Sequence, residues 1–417
     1  MHSTEICNAL YQHAREHNGR NLDIELNGVP VLLVQRYEDA DHVLRTHASS
    51  YRKNMDWFRQ ALGSSRFSED GSAWEVRRRL THEYFTHFDR DQTCRMAMRY
   101  GREAANQMIH AGAAGATHID DGVLRRMAVS VLVENFFGLP FDDTGIDLER
   151  IAELMEYGSA YAFVPSGRTD ALYGDALRRL PSLRRRVLGD LRIFRDRTRP
   201  RGAMLEGMLA ADNDPDSRIV LEHELLTFFA AGAETSAATV GWTLYLLAMH
   251  GDLQACLREE AHARASRVHE EGWSALSDFD ALATLVSEAL RLYPPTPIVA
   301  RLATLTDRIG DREVWPGQNV LISFVGIQHD RRHRPDPWRL HVDSDTRRRT
   351  GAGVHTAFSF GPRICGGKQF ALVELMAFVF VLLLEARFEP TSLDAPRFHW
   401  KSQMLREGGQ PVRVSAA

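Results

Sequence analysis

Apolar positions along the chain fall into a few distinct patterns. Residues 369–384 are apolar nearly all round, broken only by Gln369 and Glu374, which predicts a buried helix. The run is slightly short for a membrane span and follows an irregular loop directly, so it reads as core. From Ile219 to about Met249 every residue is compatible with helix and none is proline. At 1.5 Å per residue such a helix covers roughly 45 Å, the width of a whole domain. Val29 to Gln35 predicts a strand, followed by a helix through Asp39–Thr46. Residues 47–72 are mixed and turn-rich and predict a long loop holding Trp57, Phe58 and Leu62, a lid or binding element. Helical spacing resumes near Ser72 or Ala73 and recurs over 95–110, 121–138 and 146–160. The arginine-rich stretch 161–201 alternates with leucine and predicts helices with solvated faces. Leu282 to Tyr293 predicts a helix stopped by Pro294 and Pro295. Arg312 to Ser323 predicts a hairpin turning at Pro316-Gly317.

Composition changes this picture little. A length of 417 residues allows two or three domains. No repeat or linker divides the chain, however, and one helix crossing it argues for a single body over 1–417. The net charge of −4 excludes a global basic field for nucleic acid. Positive charge is carried almost wholly by arginine, the lysines being Lys53, Lys368 and Lys401. No run of about 18 apolar residues opens the chain, so neither anchor nor signal peptide is expected. Cys7, Cys94, Cys256 and Cys365 stand far apart without a Cys-x-x-Cys pair, which fits a reducing cytoplasm. A monomer without membrane attachment is expected.

The chemistry concentrates at Cys365. It lies in Phe358-Ser-Phe-Gly361-Pro-Arg363-Ile-Cys365-Gly-Gly367, a glycine-rich loop just ahead of the buried helix. A helix N-terminus stabilises a thiolate, which serves as a nucleophile, redox thiol or metal ligand. Taken without its context, a lone cysteine is most often a small buried residue. The middle of the long helix holds Ala230-Ala-Gly232-Ala-Glu234-Thr235-Ser-Ala-Ala238. Small residues there admit a close-packed neighbour helix or a flat group, while a threonine hydroxyl can open the backbone ladder and hold a water. Trp74 and Arg78 are an i, i+4 pair, and Glu288 and Arg291 an i, i+3 pair that by itself is an ordinary surface ion pair. His329 and His333 have zinc-helix spacing but lack the accompanying glutamate, and Pro335 and Pro337 follow at once.

The spacing Phe-x-x-Gly-x-Arg-x-Cys-x-Gly resembles the haem-thiolate loop of the cytochromes P-450. The resemblance implies a mainly α fold, a triangular helical body with a long central helix and a small β-rich lobe. It implies haem b ligated by Cys365, with Phe358 beside the sulfur and Gly367 closing the loop. Arg363, Arg301, Arg78 and Trp74 would meet the propionates. Ala231 to Thr235 resemble the family's oxygen-binding segment, placing Ala231 and Gly232 against the haem. Thr235 would hydrogen-bond the dioxygen species and Glu234 would supply protons. Glu288 and Arg291 match the family's buried Glu-x-x-Arg pair. Its usual third partner, an arginine, is replaced by Ser344, with Arg347, Arg348, Arg349 or His355 as substitutes. A substrate pocket is expected from Trp57, Phe58, Leu62, Phe163, Ala231, Ile298, Val299, Met404 and Leu405.

The implied reaction is monooxygenation of an apolar or amphipathic small molecule, in secondary metabolism. Electrons would pass from NAD(P)H through a separate ferredoxin- or flavodoxin-type carrier docking at Arg363, Lys368 and nearby arginines. The rivals are a peroxide-driven peroxygenase, against which Glu234-Thr235 argues, and a non-catalytic haem-thiolate sensor.

Overall fold

A computed structural model describes residues 5–159, 169–197, 202–214, 217–342 and 355–417. The N-terminal part alternates short strands and helices: α1 (Ile6–Glu16), β1 (Leu22–Leu26), β2 (Val29–Val34), α2 (Tyr37–Asp41) and β3 (Tyr51–Arg52). After α2 the chain winds on through His42–Thr46 in a wider i→i+5 turn, so the helix expected to Thr46 is there but loosened. The stretch expected as a long loop contains a helix, α3 (Asp56–Leu62). Its buried Phe58 and Leu62 are drawn into the core, and that burial outweighs the turn-like composition around them.

The helical body follows with α4 (Gly71–Thr86), α5 (Arg90–Ala113), α6 (Asp121–Phe137), α7 (Leu148–Ser159), α8 (Thr169–Arg197) and α9 (Ala203–Asp212). Asp89 and Asp120 cap α5 and α6, their carboxylates accepting from the Gln92 and Gly122 amides. Gly138 ends α6 at φ 71°, a left-handed position suited to glycine. Then come α10 (Leu221–Met249), α11 (Gly251–Glu271), α12 (Trp273–Ser277) and α13 (Asp280–Leu292). The central helix α10 begins within two residues of its expected start and is buried along most of its length.

The second half of the β lobe is β4 (Ile298–Ala303), β5 (Asp307–Ile309), β6 (Arg312–Val314) and β7 (Asn319–Ser323), followed by α14 (Phe324–Gln328). One sheet has the order β1-β2-β7-β4-β3, with β2 and β7 parallel and the other neighbours antiparallel. The expected hairpin over 312–323 does not form. β6 pairs backwards with β5, β7 joins the main sheet, and Pro316-Gly317 carries the chain from one to the other. Gly317 donates its amide to Ala303 O, which pins that crossing.

Last come α15 (Lys368–Glu385), β8 (Ala386–Pro390), β9 (Phe398–Lys401), β10 (Gln403–Arg406) and β11 (Val412–Ala416), the strands pairing as β9–β10 and β8–β11. α15 is the all-round apolar run and is buried from Val373 to Leu383, as core. Among the described residues no helix is long and apolar enough to cross a membrane. One large apolar core joins α1, α5, α6, α10 and α15, and a smaller cluster fills the far face of the main sheet.

Candidate functional site

The loop ahead of α15 is held by backbone geometry only glycine allows. Gly361 has φ 75°, and a Cβ there would stand 2.1 Å from Leu44 O, so the loop lies directly on the turn after α2. The Cys365 amide donates to Phe358 O at 2.9 Å, closing the loop beneath the thiol. Burial raises the thiol's pKa, while the Gly367 amide, the Arg66 and Lys368 charges and the Lys368 amide oppose the rise. Cys365 as a residue is nonetheless exposed, although protein crowds its sulfur. Cys7 and Cys94 are buried, with thiols pushed up by desolvation, the latter to about 12, and Cys256 is exposed.

Cations gather around this loop. Arg363 donates to Asp70 Oδ1 at 2.6 Å and lies 3.9 Å over the Trp74 ring, while its Nη1 is buried without a partner. Arg301, on β4, is 6% exposed and donates to Ala300 O. Burial, and then the Arg363 charge, bring its pKa down to about 10. Arg78 stands 5.6 Å from the same Trp74 ring, on a different face of α4 from the buried Arg77. Two members were missed in the sequence. Burial and the neighbouring Arg301 and Arg363 hold the Lys53 ammonium well below its ordinary value. Arg66 is lowered by burial and by Arg78, and donates to Thr81 Oγ1 at 2.6 Å. Asp70, which also accepts the Lys53 amide at 2.9 Å, is the carboxylate common to Lys53, Arg301 and Arg363. A chain that holds almost no lysine but places one here was the available signal.

The central helix opens a window in its own burial. Ala231 is exposed and Thr235 half-exposed, although Phe228–Ala230 and Ser236–Ala248 are buried. Thr235 Oγ1 donates to Ala231 O at 2.8 Å, so the two lie one turn apart on one face. Gly232 does not share it. A Cβ there would come within 2.6 Å of Leu132 Cδ2 on α6, so this glycine lets the two helices pack closely. Glu234 is 6% exposed, and desolvation raises its pKa to about 7. Gln403 Nε2 donates to its Oε2 at 2.5 Å, and Arg125 Nε stands 3.8 Å from its Oε1.

The expected pocket is only partly assembled. Successive strand residues face opposite ways. Ile298 packs in the main core, while Val299, on the same strand face as Arg301, is half-buried and touches the smaller cluster. Trp57 is half-buried on α3 beside the buried Phe58, ring centroids 5.5 Å apart, and Leu62 is buried one turn on. Met404 is fully buried, its amide on Pro295 O, and Leu405 is half-buried. Phe163 lies outside the described residues.

Behind the loop, Glu288 and Arg291 form a buried two-pronged pair at 2.7 and 2.8 Å. Arg334 Nη1, 3.3 Å from Glu288 Oε1, takes the third place, and the His341 amide donates to Oε2. His355 instead bonds Ser287 O, and Arg347, Arg348 and Arg349 lie outside the described residues. His329 is buried and stacked 4.0 Å from the Trp338 ring, which removes it from any zinc pair with His333.

A crowded thiol on an exposed residue, an unpartnered guanidinium nitrogen among under-neutralised cations and a flat window in a buried helix fit a planar dianionic cofactor ligated by sulfur. That combination defines a haem-thiolate protein. The family model described as cytochrome P450 matches residues 2–410, and the chain belongs to that family. The cofactor of that family is haem with thiolate-ligated iron. The chain is 29% identical over 256 residues to Cytochrome P450 4F12 of Homo sapiens, covering 59% of this chain and 48% of that protein. It is 34% identical over 202 residues to Cytochrome P450 4A11 of Homo sapiens, covering 46% and 37%. It is 30% identical over 217 residues to Leukotriene-B4 omega-hydroxylase 3 of Mus musculus, covering 50% and 41%. The chain thus spans less than half the length of these relatives.

Proposed function

We propose that the chain is a haem-thiolate monooxygenase that oxidises an amphipathic small molecule with an apolar chain, fed by a separate ferredoxin- or flavodoxin-type electron carrier. The observation carrying this reading is the Cys365 loop, whose sulfur receives amide and cationic support on an exposed residue. The likeness to a leukotriene-B4 omega-hydroxylase supports a lipid-like substrate attacked near a chain end.

Haem bound here would supply reductive activation of O₂. Cys365 would hold its iron, and Arg78, Arg301 and Arg363 would hold its carboxylates. The exposed Ala231 leaves space at the central helix. Thr235 presents a hydroxyl at the same window, suited to fix a water there. Glu234, poised near neutrality, can both release and regain a proton at the next helix position. A peroxide-driven enzyme needs neither group. The test is a ferrous–CO spectrum of wild type and Cys365→Ala, with product measured under NAD(P)H plus surrogate carriers and under peroxide alone. A band that survives Cys365→Ala, or product from peroxide only, rejects the reading.

A further inference from the structure

Glu234 needs a supply of protons, and nothing described so far connects it to water. The groups around it fall into a graded series. The side chain of Glu234 is 7% exposed, Arg125 on α6 is 14% exposed, and Glu149 in the first turn of α7 is 70% exposed. Arg125 Nη2 donates to both Glu149 oxygens, at 2.7 and 2.8 Å. Arg125 Nε is turned inward, 3.8 Å from Glu234 Oε1, and is buried with no hydrogen-bond partner. The guanidinium therefore bridges an interior carboxyl and a surface carboxylate across the seam of α6 and α7, with one donor left over on the interior side.

We propose that Arg125 is a positioning residue for Glu234: clamped by Glu149, it holds the Glu234 carboxylate at the α6–α7 seam, where it takes up a proton from solvent. This rests on reading Glu234 as the proton donor. The chemistry is a simple exchange in which the carboxylate gains a proton from water and gives it up inside the site, while Arg125 stays charged and does not itself titrate. Desolvation favours the neutral acid and Arg125 favours the anion, and their balance leaves Glu234 near 7. The other groups acting on Glu234 are Glu149 and Asp121, both raising it, and the neutral Gln403 from β10, lowering it by its hydrogen bond.

Opposite signs follow for two substitutions. Arg125→Leu removes the partner of the anion, so the Glu234 midpoint should rise by about one pH unit or more. Glu149→Gln removes a repelling carboxylate and frees Arg125 to close on Glu234, so the midpoint should fall. Arg125→Lys should restore most of the wild-type value. The midpoint is read in the haem-loaded protein from the pH-dependent carboxyl infrared band that Glu234→Gln abolishes. The pH dependence of product formed per NAD(P)H is followed in parallel. Midpoints that stay still, or that move the same way in Arg125→Leu and Glu149→Gln, overturn the proposal. If they stay still while Glu234→Gln slows turnover, the positioning role alone fails. If Glu234→Gln leaves turnover and its pH profile untouched, the proton-donor reading fails, and with it the role given to Arg125. Glu149 is largely exposed, so its variant tests the idea even where Arg125→Leu misfolds.

Discussion

Two clusters of charge near the Cys365 loop are treated in opposite ways. At the pair behind the loop every donor is spent within the protein. Arg291 gives two bonds to Glu288 and the rest to the carbonyls of Gln328, Pro337 and Arg339. Glu288 accepts a further bond from the His341 amide. In the cradle, Lys53, Arg301 and Arg363 press on one another with Asp70 as the shared carboxylate, Arg66 acts on Lys53 and Arg363, and Arg363 Nη1 has no hydrogen-bond partner. Buried charge is costly unless it is paired, so a saturated pair belongs to the scaffold and an unsaturated cluster awaits a ligand.

The largest effect expected from that contrast is on the saturated side. Arg291→Leu leaves the buried Glu288 with only Arg334 and the His341 amide and should cost about 3–5 kcal/mol in urea unfolding. A loss below about 1 kcal/mol would put the pair in the same class as the cradle.

Glu374 stands between the two regimes. It is 2% exposed on α15, takes the Ser236 hydroxyl on one oxygen, and its Oε2 is buried without a partner. Desolvation raises its pKa to about 8, so the folded protein keeps it neutral without a cation. A carboxyl raised on folding contributes stability below its unfolded value and loses it as pH climbs towards the folded one. Between pH of about 5 and 8 the wild type should therefore lose about 1.4 kcal/mol per pH unit more than Glu374→Gln. Parallel pH profiles would show that this carboxyl ionises in the folded state.

On the unsaturated side, Arg301→Leu should leave the haem-free protein no less stable, because it relieves repulsion among neighbours, while Arg363→Leu sets the same relief against its lost bond to Asp70. Haem loss to excess apomyoglobin should nonetheless quicken on the order of ten- to a hundredfold, the worth of a charged hydrogen bond. A weakened apoprotein with unchanged haem loss would reverse the comparison.

The smallest effect on stability belongs to Thr235, whose hydroxyl bonds only the Ala231 carbonyl within its own helix. Thr235→Ala should change unfolding by less than about 1 kcal/mol. NAD(P)H use should stay within roughly threefold while hydrogen peroxide replaces product. Tight coupling in that variant would give the window no chemical role.

The same contrast explains what could be read without coordinates. Helices with long apolar repeats, α10 and α15 above all, were legible because burial writes itself into periodicity. The Cys365 loop was legible because its glycines and arginine sit close together in sequence. The cradle's other members were not, because Lys53, Arg66 and Asp70 meet Arg301 and Arg363 only through the fold, without a shared period or motif. The contacts of Gly232 with Leu132 and of Val299 with the smaller cluster were not legible for a related reason: one turn of helix or one step of strand decides the face, and spacing alone does not say which face is inward. Arg334 took the third place beside Glu288 through a turn that the sequence gives no means of folding.

Asp70 and Arg363, bonded at 2.6 Å, are 293 residues apart in the chain. A ribosome adding about 5–20 residues per second makes the acid roughly 15–60 s before its arginine, and Cys365 only after that. Throughout that interval the early half of the cradle, Lys53, Arg66 and Asp70, exists without either the thiol or Arg363. Cofactor capture by this chain is accordingly a late event in its biogenesis, open only once nearly all the described sequence has been synthesised. A truncation that stops short of the Cys365 loop would yield a chain that can never collect its haem, however well its first helices fold.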